Sequence, residues 1–217
     1  MELHVLGTRG NIQLSAKRHA SHSGALLDRE LMLDIGERRF LRYRHRWILI
    51  THLHPDHAFF VRAPTSGLPP VYAPETPPGS HAILVKPGQV LHLDGWRITA
   101  MPATHSEHVR SLAYRVDRGG KSLLYTGDLI DIRPGYHRLL HDLDLVITAG
   151  SFLRRGGLVR KNATTGKRFG HAGLPELIAF FAEFTPRFLV VHLGSWFYHN
   201  PRRARARVGW DGMRLRL

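Results

Sequence analysis

A chain of 217 residues, 43% of them hydrophobic, is long enough to bury a sizeable core, and we expect a single domain spanning 1–217. It contains no cysteine, which excludes a disulfide framework and any thiolate metal site; a metal here must rest on imidazole and carboxylate, a donor set that suits zinc, manganese or iron. The formal charge of +14 predicts attraction to anions such as phosphates, nucleic acid or acidic membranes, although an arginine-rich composition accounts for it equally well.

In chain order, Met1–Leu6 reads as a strand leading into Gly7-Thr8-Arg9-Gly10, not as a signal peptide. No run of about 18 apolar residues follows anywhere, so a cytoplasmic protein without a membrane partner is expected. Leu31–Asp34 is a second strand, ending at Ile35-Gly36. Glu37–His45 is a weak, strongly basic helical stretch, and Trp47–Thr51 a strand running into His52. Pro64–Pro78 is proline-rich and irregular around a short strand at Val71–Ala73. Trp96–Met101 leads to His105. Ser111–Asp117 and Lys121–Thr126 flank Arg118-Gly119-Gly120 as a hairpin, and the second of them runs into Gly127-Asp128. Leu174, Leu177, Ile178, Phe181 and Phe184 fall at helical spacing, predicting a helix over Leu174–Phe184 with Pro175 in its first turn. Phe188–Val191 is the last strand and delivers His192. No repeat or low-complexity linker interrupts this α/β pattern, and residues able to bind metal collect where strands end.

The densest signal is Thr51-His52-Leu53-His54-Pro55-Asp56-His57. In an extended segment His52 and His54 share a face, because side chains alternate with period two. A turn at Pro55 then redirects Asp56 and His57, so one loop reaches two adjacent metal positions.

His-x-His-x-Asp-His after a strand resembles the signature of the metallo-β-lactamase superfamily. The remaining landmarks follow in that family's order: Asp34 before the signature, His105 in Pro102-Ala103-Thr104-His105-Ser106, Gly127-Asp128, and His192 in Val191-His192-Leu193-Gly194-Ser195. The resemblance spans nearly the whole chain and implies an αββα sandwich, two mixed β-sheets flanked by helices. It further implies two divalent cations, zinc first and manganese or iron as alternatives. His52, His54 and His105 would hold one ion and Asp56, His57 and His192 the other. Asp128 and a shared water would bridge them. Two divalent ions less two carboxylates and a hydroxide leave a site of roughly +1, suited to a small anionic substrate such as a phosphate ester.

Within the superfamily, the missing cysteine disfavours the best-known zinc β-lactamases. Flavodiiron enzymes carry glutamate where His54 stands, and glyoxalase II relatives carry Thr-Pro-Gly-His-Thr around the third-motif histidine. The chain looks more like the branch of ribonuclease Z and a small cyclic phosphodiesterase. That likeness makes His171, at the start of the predicted helix, an assistant to a phosphoryl oxygen or leaving group, and Asp56 a proton acceptor as well as a ligand. Only 23 residues separate His105 from Asp128, too few for the tRNA-gripping insertion of ribonuclease Z, so tRNA processing is disfavoured. The cyclic phosphodiesterases' N-terminal cysteines are replaced here by Lys17-Arg18-His19-Ala20-Ser21-His22-Ser23, either a lining of the site's mouth or a solvated loop.

The expected function is therefore a two-metal phosphodiesterase. The alternatives are a thioester or carboxylic ester hydrolase of the same fold, and a nucleic-acid-binding protein with a structural metal site; assembly into an oligomer is left open. Arg154, Arg155, Arg160, Lys161, Lys167 and Arg168 lie in a stretch without acids that leads to His171, and some are expected to reach a substrate phosphate. Arg202, Arg203, Arg205 and Arg207 read as a solvated helix face with few aromatics to interleave. His4, His19, His45, His81, His92, His137, His141 and His199 read as packing or surface histidines, and Glu107 and His108 as either supports of the site or solvated residues.

Overall fold

The computed structural model describes residues 1–62, 67–76 and 81–217. The first part of the chain supplies β1 (Glu2–Gly7), β2 (Gly24–Leu27), β3 (Leu31–Ile35), β4 (Trp47–Leu49), β5 (Val71–Ala73) and β6 (Ile83–Leu84). Then follow β7 (Val90–Leu93), β8 (Trp96–Thr104), β9 (Leu112–Arg118), β10 (Lys121–Tyr125), β11 (Asp131–Ile132) and β12 (Leu145–Ala149). A hairpin of β13 (Leu158–Lys161) and β14 (Arg168–His171) precedes α1 (Leu174–Ala182), β15 (Phe188–Val191), α2 (Ser195–His199) and β16 (Arg214–Arg216). The proline-rich stretch 64–78 falls partly outside the described residues; the strand expected at Val71–Ala73 is β5.

Two seven-stranded mixed sheets result, one ordered β16-β1-β2-β3-β4-β5-β6, the other β11-β8-β9-β10-β12-β15 with β7 also on β8. Each changes from antiparallel to parallel pairing, at β3/β4 and at β10/β12. Alternation along the strands assigns the layers. Leu31 and Leu33 of β3 and Leu145 and Ile147 of β12 point into the shared core with Trp96 and Tyr114. Met32 faces the opposite way, onto Phe40 and Phe60, and Val146 onto Leu177 and Phe181 of α1. The expected αββα sandwich is present, with thin outer layers: over the first sheet lie short 3-10 turns at Arg38–Arg42 and Phe59–Val61.

Three expectations need correcting. Glu37–His45 is no helix beyond the 3-10 turn at Arg38–Arg42, because Phe40 is its only buried residue and one apolar anchor does not hold an amphipathic helix. The helix expected over Leu174–Phe184 ends at Ala182, while Phe184 packs on Phe180 just beyond it. The Arg202–Arg207 cluster forms no continuous helix face, since the 3-10 turn Pro201–Ala204 breaks at Arg205 in a left-handed conformation. The Gly119-Gly120 hairpin is as expected: both glycines have positive φ, and Arg118 pairs with Lys121. No described helix is long and apolar enough to cross a membrane.

Candidate metal centre

The site sits where β3, β4, β8, β10, β12 and β15 end, so both sheets contribute to it. Asp34, fully buried at the end of β3 with φ 52, organises the signature loop. Its carboxylate accepts the Thr51 backbone N–H at 2.7 Å and the Thr51 hydroxyl at 2.9 Å, and lies 2.7 Å from His57 Nδ1. The turn after His54 closes with His57 and Ala58 N–H groups donating to the His54 carbonyl. Two glycines let neighbouring backbone approach. A Cβ on Gly127 (φ 58) would sit 2.6 Å from Thr51 Oγ1, and one on Gly36 would overlap the Asp56 carbonyl.

Asp128 stands at the centre. Its Oδ2 lies 3.5 Å from His105 Nε2, 3.6 Å from His57 Nε2, and 3.8 Å from both His52 Nε2 and His171 Nδ1. On one side His52, His54, His105 and Asp128 bring their donor atoms within 4.8 Å of one another; on the other, Asp56, His57 and His192 do the same. All seven residues singled out in the sequence thus converge into two adjoining groups. A third such group, Asp128, His171 and His192, draws in a residue for which ligation was not anticipated.

The groups fit cations. His57 Nε2 is buried without a hydrogen-bond partner among the described residues, a cost of about 1–3 kcal/mol that a coordinated ion would remove, while Asp128 Oδ1 lies 2.9 Å from His192 Nδ1. Burial pulls His52 well below the ordinary histidine range, aided by neighbouring imidazoles, and takes His105 down to about 4. Both therefore offer neutral imidazole at neutral pH. Burial also lowers His54 and His171. His192 is likewise depressed by burial, but the carboxylates of Asp128 and Asp56 outweigh it and push it up to about 9. His57 is raised in the same way, chiefly by Asp34. The carboxyls respond in kind: burial favours the neutral acid at Asp56 and Asp128, yet the imidazoles of His57 and His192 hold both below the usual range.

Several supports were not legible beforehand. Ser151, just after β12, places its hydroxyl 2.8 Å from His192 Nδ1, and the Gly170 carbonyl lies 2.9 Å from His105 Nδ1. β12 itself went unanticipated, although the apolar run Leu145–Ala149 before Gly150 carries a strand signal. His171 reaches the site from the end of β14, not from the helix start: α1 begins three residues later behind Gly173, so no helix N–H group positions it. Its ring stacks on His192 at 6.0 Å and 15°.

The other histidines lie apart. His4 packs edge-on to Tyr43, His19 on Phe197, His137 on Phe180 and His141 on Phe184, while His108 is exposed. In the Lys17–Ser23 stretch, His22 reaches the flank of the site, sharing a small cavity with Asp56, and the Ser23 N–H donates to the Asp56 carbonyl at 3.0 Å; His22 Nε2 lies 2.9 Å from Arg9 Nη2. A cavity of about 350 Å³ opens over the centre, with Phe152, Leu158 and Trp196 as apolar walls. Behind His105 a second, of about 540 Å³, is rimmed by Lys86, Arg110, Arg133, Lys167 and Arg168, the last paired with Asp131 at 2.8 Å.

This chain belongs to the metallo-β-lactamase superfamily: residues 40–192 match the family described as the beta-lactamase superfamily domain. Among solved structures it is similar in fold to a diphosphatase of the PhnP family (TM-score 0.70, 15% identity, covering 99% of this chain and 96% of that one). It is also similar to Zn²⁺-bound PqqB from Methylobacterium extorquens (TM-score 0.69, 15% identity, 100% of both chains). Human tRNase Z, short form, is a third (TM-score 0.65, 18% identity, 100% and 99%). Comparison by sequence with the curated proteins finds no match.

Proposed function

We propose that the protein is a two-metal hydrolase that cleaves a phosphodiester, small or nucleotide-derived, in the cytoplasm. The observation that carries this reading is Asp128 Oδ2 set 3.5–3.8 Å from four imidazoles, with a complete donor group on either side. His52, His54 and His105 would hold one ion and Asp56, His57 and His192 the other, with Asp128 placed between the two groups. The all-nitrogen-and-oxygen donor set favours zinc, with manganese or iron as substitutes, and one fold neighbour is Zn²⁺-bound. When bound, such a pair makes water a nucleophile at neutral pH and stabilises charge on the phosphoryl oxygens.

The chain's own groups do the rest. Asp56 accepts the proton of the attacking water at the carboxylate oxygen left free by the 2.9 Å contact of the other with His192 Nε2. His171, with Nδ1 buried and unpartnered, donates to a phosphoryl oxygen or to the leaving oxygen. Phe152, Leu158 and Trp196 give the reacting atoms an apolar flank. Two fold neighbours, a tRNase Z and a diphosphatase, support a phosphate substrate.

A panel of bis-aryl phosphate, cyclic nucleotide, thioester and lactam, run with Zn²⁺, Mn²⁺ and Fe²⁺, tests this. Turnover of the phosphodiesters is expected; turnover of thioester alone would overturn the reading. Salt-dependent RNA binding without any turnover would make the protein a binding module instead.

A further inference from the structure

Trp196, 41% exposed, is a wall of the metal-centre cavity and also of a separate groove of about 550 Å³ beside α1. Leu153, Leu174 and Ile178 give that groove an apolar floor. Arg154, Arg155, Arg203 and Arg205 form its rim, all exposed, and none of the four has a carboxylate within 4.0 Å among the described residues. The groove is lined by no acidic residue. The Arg154 guanidinium stands 5.9 Å from the Trp196 ring centroid, which joins charge to aromatic surface at the point where the two cavities meet.

We propose that this groove is a subsite for the nucleotide next to the scissile phosphodiester, so that the substrate is a single-stranded oligonucleotide and not a cyclic mononucleotide; the proposal rests on the phosphodiesterase reading of the metal centre. A nucleobase is flat and apolar on its faces, which matches an exposed indole above an aliphatic floor. The phosphate that follows is anionic and accepts forked hydrogen bonds, which matches unpaired guanidinium groups on the rim. An acidic peptide would satisfy the arginines and leave Trp196 and the floor without a flat partner. Four like charges around one concavity also repel one another, and a bound polyanion relieves that repulsion.

The test compares a trinucleotide carrying a terminal p-nitrophenyl phosphodiester with methyl p-nitrophenyl phosphate, which has the same leaving group, on the Zn²⁺-loaded protein. The trinucleotide should show a kcat/KM at least about tenfold higher, through KM, as expected for an added stacking and phosphate contact. Arg154→Ala with Arg203→Ala should collapse that ratio. Binding of a phosphorothioate-linked hexanucleotide, read by fluorescence anisotropy, should weaken in the same double variant. Its log–log salt slope should flatten by about 1.4, the value for two lost single-strand phosphate contacts. Trp196→Ala should weaken binding and leave the slope unchanged. Equal kcat/KM for the two substrates, or a ratio untouched by the double variant, overturns the groove and leaves the phosphodiesterase reading standing. A hexaglutamate that competes as well as the hexanucleotide also overturns it. Hexanucleotide binding with these responses but no turnover of either diester leaves the groove a nucleotide-binding site and removes both the catalytic reading and its assignment as a substrate subsite.

Discussion

The two sides of the metal centre are built differently. The loop from Thr51 to His57 is clamped inside the sandwich: Thr51, His52, Asp56 and His57 are buried, Asp34 ties both ends of the loop, and the Thr51 carbonyl accepts the Leu112 N–H at 2.9 Å from the opposite sheet. His171, in contrast, arrives on a two-stranded hairpin whose first strand is wholly exposed. That hairpin is fastened by a few bonds, among them the Gly170 N–H to the His105 carbonyl and the Ala172 N–H to the Leu129 carbonyl. Groups that must hold a fixed cage are embedded in strand ends, whereas the group we assign to the substrate is carried by a thin appendage. The division separates what stability measurements should see from what kinetics should see.

The largest effect is expected at the shared carboxylate. Asp128→Ala should lower turnover at least about a thousandfold, because its Oδ2 lies within 3.8 Å of imidazoles drawn from both donor groups; retention of half the rate would show that this carboxylate is not part of the working centre. Asp34→Ala should act on the fold instead. It strands the Thr51 N–H, the Thr51 hydroxyl and His57 Nδ1 in a buried place, at a cost of about 3–5 kcal/mol, visible as a drop in Tm of roughly 10 °C. A Tm within 2 °C of the parent would mean that Asp34 is no clamp. His171→Ala should reverse that pattern: turnover falls by about a hundredfold while Tm changes by no more than about 1 kcal/mol of stability would give. Full turnover in this variant, with metal content unchanged, would take His171 out of the mechanism. The smallest effect is expected for Ser151→Ala, which removes the hydroxyl at His192 Nδ1 and should weaken metal affinity about tenfold, measured by competition with a chelator.

How much of this was readable in the chain follows from where each residue's partners lie. His52, His54, Asp56 and His57 were legible because they are contiguous and follow a strand. His105, Asp128 and His192 were legible because each stands within three residues of the end of a β run. Ser151 and the Gly170 carbonyl were not, since one is an ordinary hydroxyl and the other a backbone atom, and their importance comes only from the ring each one meets. The basic stretch before His171 looked like one region, but the fold divides it. Arg154 and Arg155 join Trp196 and Arg203 on one side, while Lys167 and Arg168 join Arg110 and Arg133 behind His105. Aromatic residues looked sparse around the arginine clusters because Trp196 is far from Arg154 in sequence and meets it only through packing.

The clamp at Asp34 has a further consequence for the order of assembly. Its hydrogen bonds close entirely within the polypeptide, so the cage is shaped by folding and is ready when ions arrive, unlike small zinc domains in which the ion does the folding. Stripping with a chelator should silence the enzyme yet leave its circular dichroism and cooperative melting transition in place. Returning any of several divalent ions should then restore it within the mixing time, which makes the identity of the working cation a matter of cellular supply as much as of protein design.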